Sequence, residues 1–345
     1  MNNVLIINYS VFDHTKKSHF PIMADNLKKL NKKYNNFKLI NTNNGSLKKV
    51  MIENSNYEKK YIIIYGMEIK MLKNFFNNYL ILSLNLKYII YFGVFLVNES
   101  SKLFDDLLDK YMKGNIRFFV DSYILQETLK NNVLLCFPFL NKELFNKINN
   151  NNKIETKKNT VFIHLRKLSY PFLLNPNKYK ISLLFGLINI IKTNPDHYFY
   201  IDDQINNKII NIFNNNLKNN KNWEYINQSD DYEKYLEKKR QIEKHIMLFV
   251  SWNKYRTSGN ILEMVALNRM IILIEENNWC CNFLHTIQYP NVIYVKSFFN
   301  LQLKDLPEIQ KYKFYDQFIN FHSIESILNL IPDFSPDILL PKKDI

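Results

Sequence analysis

Short apolar runs alternate with helical patterns along most of the chain. In the first half the runs cover residues 4–8, 37–40, 61–65, 88–92, 116–120 and 133–137. Runs of this length, apolar on both faces and bounded by polar residues, suit strands of a buried parallel sheet. Helix-like stretches lie between them at 20–33, 68–77, 102–113 and 125–130. Strands alternating with helices predict a parallel sheet covered on both faces. Residues 141–158 are polar and rich in Asn and Lys, and read as a linker. The pattern then restarts with a strand at 160–165, a helix at 180–192, a strand at 197–202, a helix at 205–217 and a short strand at 223–226. A charged helix follows over 229–244, with Ser229 as its N-cap. Next come a strand at 246–250, a polar turn at 251–260 and a short helix carrying Glu263 in its first turn. Strands at 270–274 and 291–295 and a helix at 323–330 complete the pattern. The predicted organisation is α/β, with one half over 1–145, a second over 155–320, and a C-terminal helix and tail over 321–345. Such halves bind ligands in a cleft at the carboxyl ends of their strands.

Composition narrows the picture only slightly. The 345 residues are 46% hydrophobic and 15% aromatic, enough for a sizeable core in two domains. No run of about 18 uncharged apolar residues predicts a membrane span. The apolar run at 4–8 has no basic region before it and is too short for a secretion signal. Three cysteines, two of them adjacent at Cys280 and Cys281, supply no disulfide framework. A reducing, cytoplasmic setting is therefore expected. The formal charge of +14 has two readings. One is a polyanionic partner such as nucleic acid or an anionic lipid surface. The other is codon bias, because Asn, Lys, Ile, Tyr and Phe are abundant while glycine is scarce.

Residues 246–274 carry the densest chemical signal. A buried strand enters a turn that contains Gly259, one of only six glycines. Backbone amides at the start of the following helix form an anion site. A carboxylate at Glu263 is placed to accept hydrogen bonds from a ribose diol. The alternative for Glu263 is an acid favoured by the helix dipole alone. Ser258, Gly259 and Asn260 suit either phosphate contact or a simple cap and turn. Arg166 and Lys167 end the strand at 160–165 and suit either phosphate contact or solvation, and Arg256 is a further phosphate candidate. Asp202 and Asp203 end another strand, where N-capping the next helix is the simpler role. Trp252 suits either stacking on a base or packing in a core or lid.

The order of these elements resembles the GT-B glycosyltransferases, which use two Rossmann-like domains and hold the nucleotide mainly in the second. The resemblance is carried by residues 160–275. In that family a strand ending Gly-Arg-Leu opens the second domain; here Thr160–Ser169 reads Thr-Val-Phe-Ile-His-Leu-Arg-Lys-Leu-Ser, with Arg166 at the glycine and Lys167 at the arginine. The family's Glu-Ala-Met-Ala-Cys-Gly-Lys-Pro-Val-Ile is matched by Glu263-Met-Val-Ala-Leu-Asn-Arg-Met-Ile-Ile. Tyr255 stands where retaining members carry an earlier Glu. Arg256-Thr257-Ser258 replaces their Gly-Phe-Gly turn. The chain is also similar in length and in its Leu273-Ile274-Glu275-Glu276 strand end to bacteriophage DNA β-glucosyltransferases. Their catalytic aspartate ends the strand matching 88–92, where this chain has Gly93-Val94.

The resemblance implies sugar transfer from a nucleoside diphosphate donor, with UDP the expected nucleotide and no resident cofactor. The acceptor would be a hydroxyl on a glycan, protein, lipid or hydroxymethylated DNA, within a host cytoplasm if the source is viral. No metal is expected, because basic side chains can neutralise the departing diphosphate. An inverting reaction needs a base to deprotonate the acceptor. The loop at 9–19, with Asp13, His14 and His19, would face the cleft. Asp13 is the first candidate base and Glu99 the second. A different class remains open: a catalytically inactive relative of this fold that binds nucleic acid or builds a virion, favoured by Tyr255 and the scarcity of glycine at the phosphate turn.

Overall fold

The computed structural model describes six strands of the first half as backbone, together with residues 140–150, 156–165, 178–202, 207–226, 232–248, 259–275, 279–323 and 326. The chain divides into two compact units, Met1–Lys142 with Gln317–Ile345, and Glu143–Asp316.

The first unit holds a six-stranded parallel sheet of β1 (Val4–Tyr9), β2 (Phe37–Thr42), β3 (Tyr61–Glu68), β4 (Tyr88–Val94), β5 (Ile116–Val120) and β6 (Val133–Leu135). Its order is β2-β1-β3-β4-β5-β6, so the winding reverses between β1 and β3. All six strands fall on predicted runs. The helices expected between them lie outside the described residues.

The second unit holds another six-stranded parallel sheet: β7 (Lys157–His164), β8 (Tyr198–Asp202), β9 (Trp223–Ile226), β10 (Ile242–Met247), β11 (Met270–Ile274) and β12 (Val292–Val295). Its order, β12-β11-β10-β7-β8-β9, is that of a dinucleotide-binding sheet, with the reversal between β7 and β10. One face packs on α2 (Lys178–Thr193) and α3 (Asn207–Leu217). Val161, Ile163, Phe199, Ile201, Ile246 and Ile272 point into that core, where they meet Leu187, Ile191 and Phe213. Strand alternation sends Phe162, His164, His245 and Ile271 to the other face.

Several expectations change here. The segment expected to be a linker opens with helix α1 (Lys142–Asn150), because Phe145 and Ile148 sit three residues apart and are both buried. The charged helix is shorter than expected: α4 covers Tyr232–Gln241, and Glu243 and Lys244 belong to β10. Their polarity mimics a helix face, yet Lys244 is buried in the strand and paired with Glu243. Helices α6 (Trp279–Thr286) and α7 (Tyr315–His322) have no counterpart in the sequence pattern. The helix expected at 323–330 lies mostly outside the described residues.

Helix α5 (Gly259–Ala266) connects β10 to β11 and is buried along nearly its whole length. It ends in a Schellman motif: the Asn268 N–H donates to the Val265 carbonyl and the Arg269 N–H to the Met264 carbonyl. Asn268 adopts a left-handed φ of 52°, at the position where the matching family motif has glycine. Its side chain is held as well, accepting from Asn291 Nδ2 at 3.0 Å. The Ala266 carbonyl accepts from Asn149 Nδ2 and from the Tyr315 hydroxyl, each at 2.9 Å. Asn268→Ala is expected to cost about 1–2 kcal/mol from the left-handed backbone alone. Asn268→Gly, which relieves that backbone cost and loses only the side-chain bonds, should cost less. Urea denaturation of the two variants checks the ranking.

Candidate functional site

The reversal between β7 and β10 locates the place where such sheets bind ligands. The two strands pair directly, with Ile246 opposite Ile163 and Met247 opposite His164. Both strands therefore end side by side at the carboxyl edge. Arg166 and Lys167 follow the end of β7 by two and three residues. Residues 249–258, including Trp252, Tyr255, Arg256 and Ser258, follow β10 and lead into α5. These six side chains lie outside the described residues. Asp13 follows β1 and Glu99 follows β4 in the first sheet, and both also lie outside them.

Three predicted residues are described, and all lie on α5. Gly259 is its first residue and is buried, and Asn260 is half-buried. Glu263 is the fifth helical residue, so it stands in the second turn and not the first as expected. The macrodipole acts mainly on the first turn, which weakens the reading of Glu263 as a dipole-stabilising acid.

Glu263 instead belongs to a buried polar cluster. The Lys239 ammonium, from α4, donates to Glu263 Oε2 at 2.7 Å, and the two side chains are only 1% and 2% exposed. The same ammonium donates to Asn260 Oδ1 at 3.1 Å. It also lies 4.3 Å from the centre of the Tyr235 ring, a cation–π contact. Burial by itself would lower the Lys239 pKa, but the Glu263 carboxylate and the Tyr235 hydroxyl hold it above its ordinary value. One lysine thus ties α4 to both turns of α5.

Two histidines lie beneath this pair on the same face of the sheet. His164 Nε2 and His245 Nδ1 are 3.1 Å apart, one accepting the proton of the other. Both are fully buried, and burial, followed by the Lys239 charge, holds each well below the ordinary histidine range. The pair is therefore neutral at pH 7. His245 Nε2 has no hydrogen-bond partner among the described residues. Asp202 ends β8 and is 3% exposed; α3 begins five residues later, so Asp202 is not its N-cap. Asp203 lies outside the described residues.

Lys239, His164 and His245 were not among the expected site residues. The strand alternation that buries Phe162 also buries His164 two residues on, and this signal was available. Lys239 lies four residues after Tyr235, one helical turn on, but the surrounding Glu-Lys-Lys-Arg reads as a solvated face.

No protein-family model matches the chain, and no curated protein matches it. Its structure matches solved ones over almost its whole length. A glycosyltransferase from Rickettsia africae ESF-5 is 12% identical, with 96% of this chain and 98% of that chain covered at a TM-score of 0.61. The UDP-GlcNAc 2-epimerase of Neisseria meningitidis, bound to UDP-GlcNAc, is 9% identical, with 97% and 99% covered at 0.56. AviGT4, a glycosyltransferase involved in avilamycin A biosynthesis, is 7% identical, with 97% of each chain covered at 0.55. The chain has the GT-B fold, two Rossmann-like α/β units in succession. No helix among its described residues is long and apolar enough to cross a membrane.

Proposed function

We propose that this chain is a GT-B glycosyltransferase that moves a sugar from a nucleoside diphosphate donor, UDP-linked, to a hydroxyl acceptor. The observation that carries the reading is the second unit's topology. Its winding reverses between β7 and β10, and the basic residues Arg166, Lys167 and Arg256 follow those two strands in the chain. The amides at Ser258, Gly259 and Asn260 then meet the pyrophosphate at the start of α5, and Glu263 accepts from the ribose hydroxyls.

In the inverting form of the reaction, a first-unit carboxylate, Asp13 or else Glu99, takes the acceptor proton. The acceptor oxygen attacks the anomeric carbon as the bond from that carbon to the β-phosphate oxygen breaks. The diphosphate leaves with the bonding electrons. The helix amides and basic side chains stabilise its growing charge in the role a divalent cation fills elsewhere, so no metal is needed. The acceptor is a glycan, a protein, a lipid or hydroxymethylated DNA.

The likeness to UDP-GlcNAc 2-epimerases supports a second reading, in which the same donor site serves a rearrangement of the sugar. Incubation with UDP-glucose and UDP-GlcNAc separates the two. A transferase releases free UDP, slowly by hydrolysis when no acceptor is present, while an epimerase yields an altered sugar. UDP is expected to raise the melting temperature, as any ligand of the native state does. Glu263→Ala is expected to abolish that rise relative to the variant's own ligand-free melt. A wild-type protein that neither binds UDP nor turns over either donor would exclude both readings and leave an inactive nucleic-acid-binding relative. A steeply salt-dependent affinity for duplex DNA would support that last reading or a DNA acceptor.

A further inference from the structure

Arg269 leads into β11 as a buried cation that makes no ion pair among the described residues. We propose that Arg269 and Arg240 form, at the amino edge of the second sheet, a binding site for a free tetrahedral oxyanion such as phosphate. This place stands apart from the proposed donor site. The five residues of β11 separate Arg269 from the carboxyl edge, a span of about 16 Å.

Arg269 is 8% exposed, and its Nη1 donates to the Asn268 carbonyl at 3.4 Å, a long bond. Nε is sealed from solvent and has no partner among the described residues. Nη2 shares one edge of the guanidinium with Nε. It also makes no bond among them, and it is not sealed. That edge is the fork with which arginine grips two oxygens of one phosphate, and an ion arriving from water meets Nη2 first. The carboxylate that acts on Arg269, Glu243, is already engaged. It accepts from Lys244 Nζ at 2.5 Å and from the Asn159 N–H at 2.9 Å.

Arg240 adds a second cation. Its Nη2 donates to the Asn149 carbonyl at 3.1 Å, and Asn149 Nδ2 donates to the Ala266 carbonyl, which places both arginines by the carboxyl end of α5. Glu237 attracts Arg240. Burial pulls the Arg269 pKa down to about 10; the Tyr289 hydroxyl opposes that fall and Arg240 adds to it. Arg269 is therefore still charged at pH 7. The end of α5 supplies only about half a negative charge. Its Met264, Val265 and Ala266 carbonyls already accept other bonds. A buried cation without a partner is costly, and a bound oxyanion removes that cost. The small exposure of Arg269 admits a free ion, whereas a phosphodiester backbone needs an open surface.

The test follows melting of the full chain in inorganic phosphate and in sodium chloride of equal ionic strength. Phosphate at ~10 mM is expected to raise the melting temperature by about 3 °C. The rise should persist when UDP is also present in excess. Arg269→Met, which keeps the apolar stem and removes the charge, should lose the rise and melt no lower than the wild type in chloride. Arg269→Lys keeps the charge but loses the fork, so calorimetry should show phosphate binding weakened at least about fivefold. It decides the matter if Arg269→Met does not fold. A short duplex DNA should give no rise that depends on Arg269. No phosphate effect in the wild type would mean that water alone satisfies the guanidinium, and would overturn the site. So would a rise that survives in Arg269→Met, or an unchanged affinity in Arg269→Lys. A rise abolished by UDP would place the phosphate in the donor site instead. An Arg269-dependent rise with DNA would overturn the assignment to a free ion.

Discussion

Lys239→Met is expected to destabilise the protein by about 3–5 kcal/mol, because it leaves the Glu263 carboxylate buried without its counter-charge. Total stabilities of about 5–15 kcal/mol are usual, so this variant should be near the edge of folding. The size of the effect follows from burial. An exposed lysine–carboxylate pair contributes about 0–1 kcal/mol, because water and salt screen it. Here the two side chains are 1% and 2% exposed, so that screening is missing. Removing both charges should cost much less than removing one. Lys239→Met combined with Glu263→Leu exchanges a buried ion pair for apolar volume, a change that is often neutral or stabilising. Urea denaturation of the wild type, the single variant and the double variant measures this directly. A single variant that loses less than about 1 kcal/mol would show that the pair behaves as a solvated one.

Acidification should weaken the fold through His164 and His245. Both are held neutral by burial, and each has a folded-state pKa well below its ordinary value. In the unfolded chain each titrates near about 6.5. Below that pH the unfolded chain binds protons that the folded one refuses. The contribution of the pair is therefore complete above about pH 6.5 and is lost progressively as the pH falls. The limiting slope is about 1.4 kcal/mol per pH unit for each histidine. The two rings share a hydrogen bond at 3.1 Å, so their titrations are coupled and the loss belongs to the pair. Melting temperatures recorded from pH 7.5 to 5 should fall. The fall should flatten in the double variant His164→Gln with His245→Gln, which removes both titrating rings. An equally steep fall in that variant would assign the acid sensitivity to other groups.

The strands could be read from the sequence because a parallel sheet covered on both faces needs apolar residues on both. Met270–Ile274, Trp223–Ile226 and Ile116–Val120 emerge with the boundaries expected of them. The short helices are harder to read, because an eight-residue helix such as Trp279–Thr286 spans barely two turns and shows little periodicity. Lys142–Asn150 is hidden by its asparagines and lysines, although Phe145 and Ile148 supply its buried stripe. At the candidate site, the turn and Glu263 stand out through their likeness to a known motif. Lys239 does not, since whether an ammonium is solvated or buried depends on residues brought together only by packing. The position of Glu263 one turn further along α5 follows from where that helix starts, a boundary that Gly259 alone does not define.

The division of the chain also bears on its synthesis. Glu143–Asp316 is one uninterrupted stretch, whereas the other unit draws on both Met1–Lys142 and Gln317–Ile345. Domains commonly mature in the order in which they leave the ribosome. Here the inner stretch has emerged in full while its companion still lacks its last residues. The half carrying Lys239 and Glu263 is thus the first to have all of its sequence at hand, and the earlier-translated half is completed only once Gln317–Ile345 has followed.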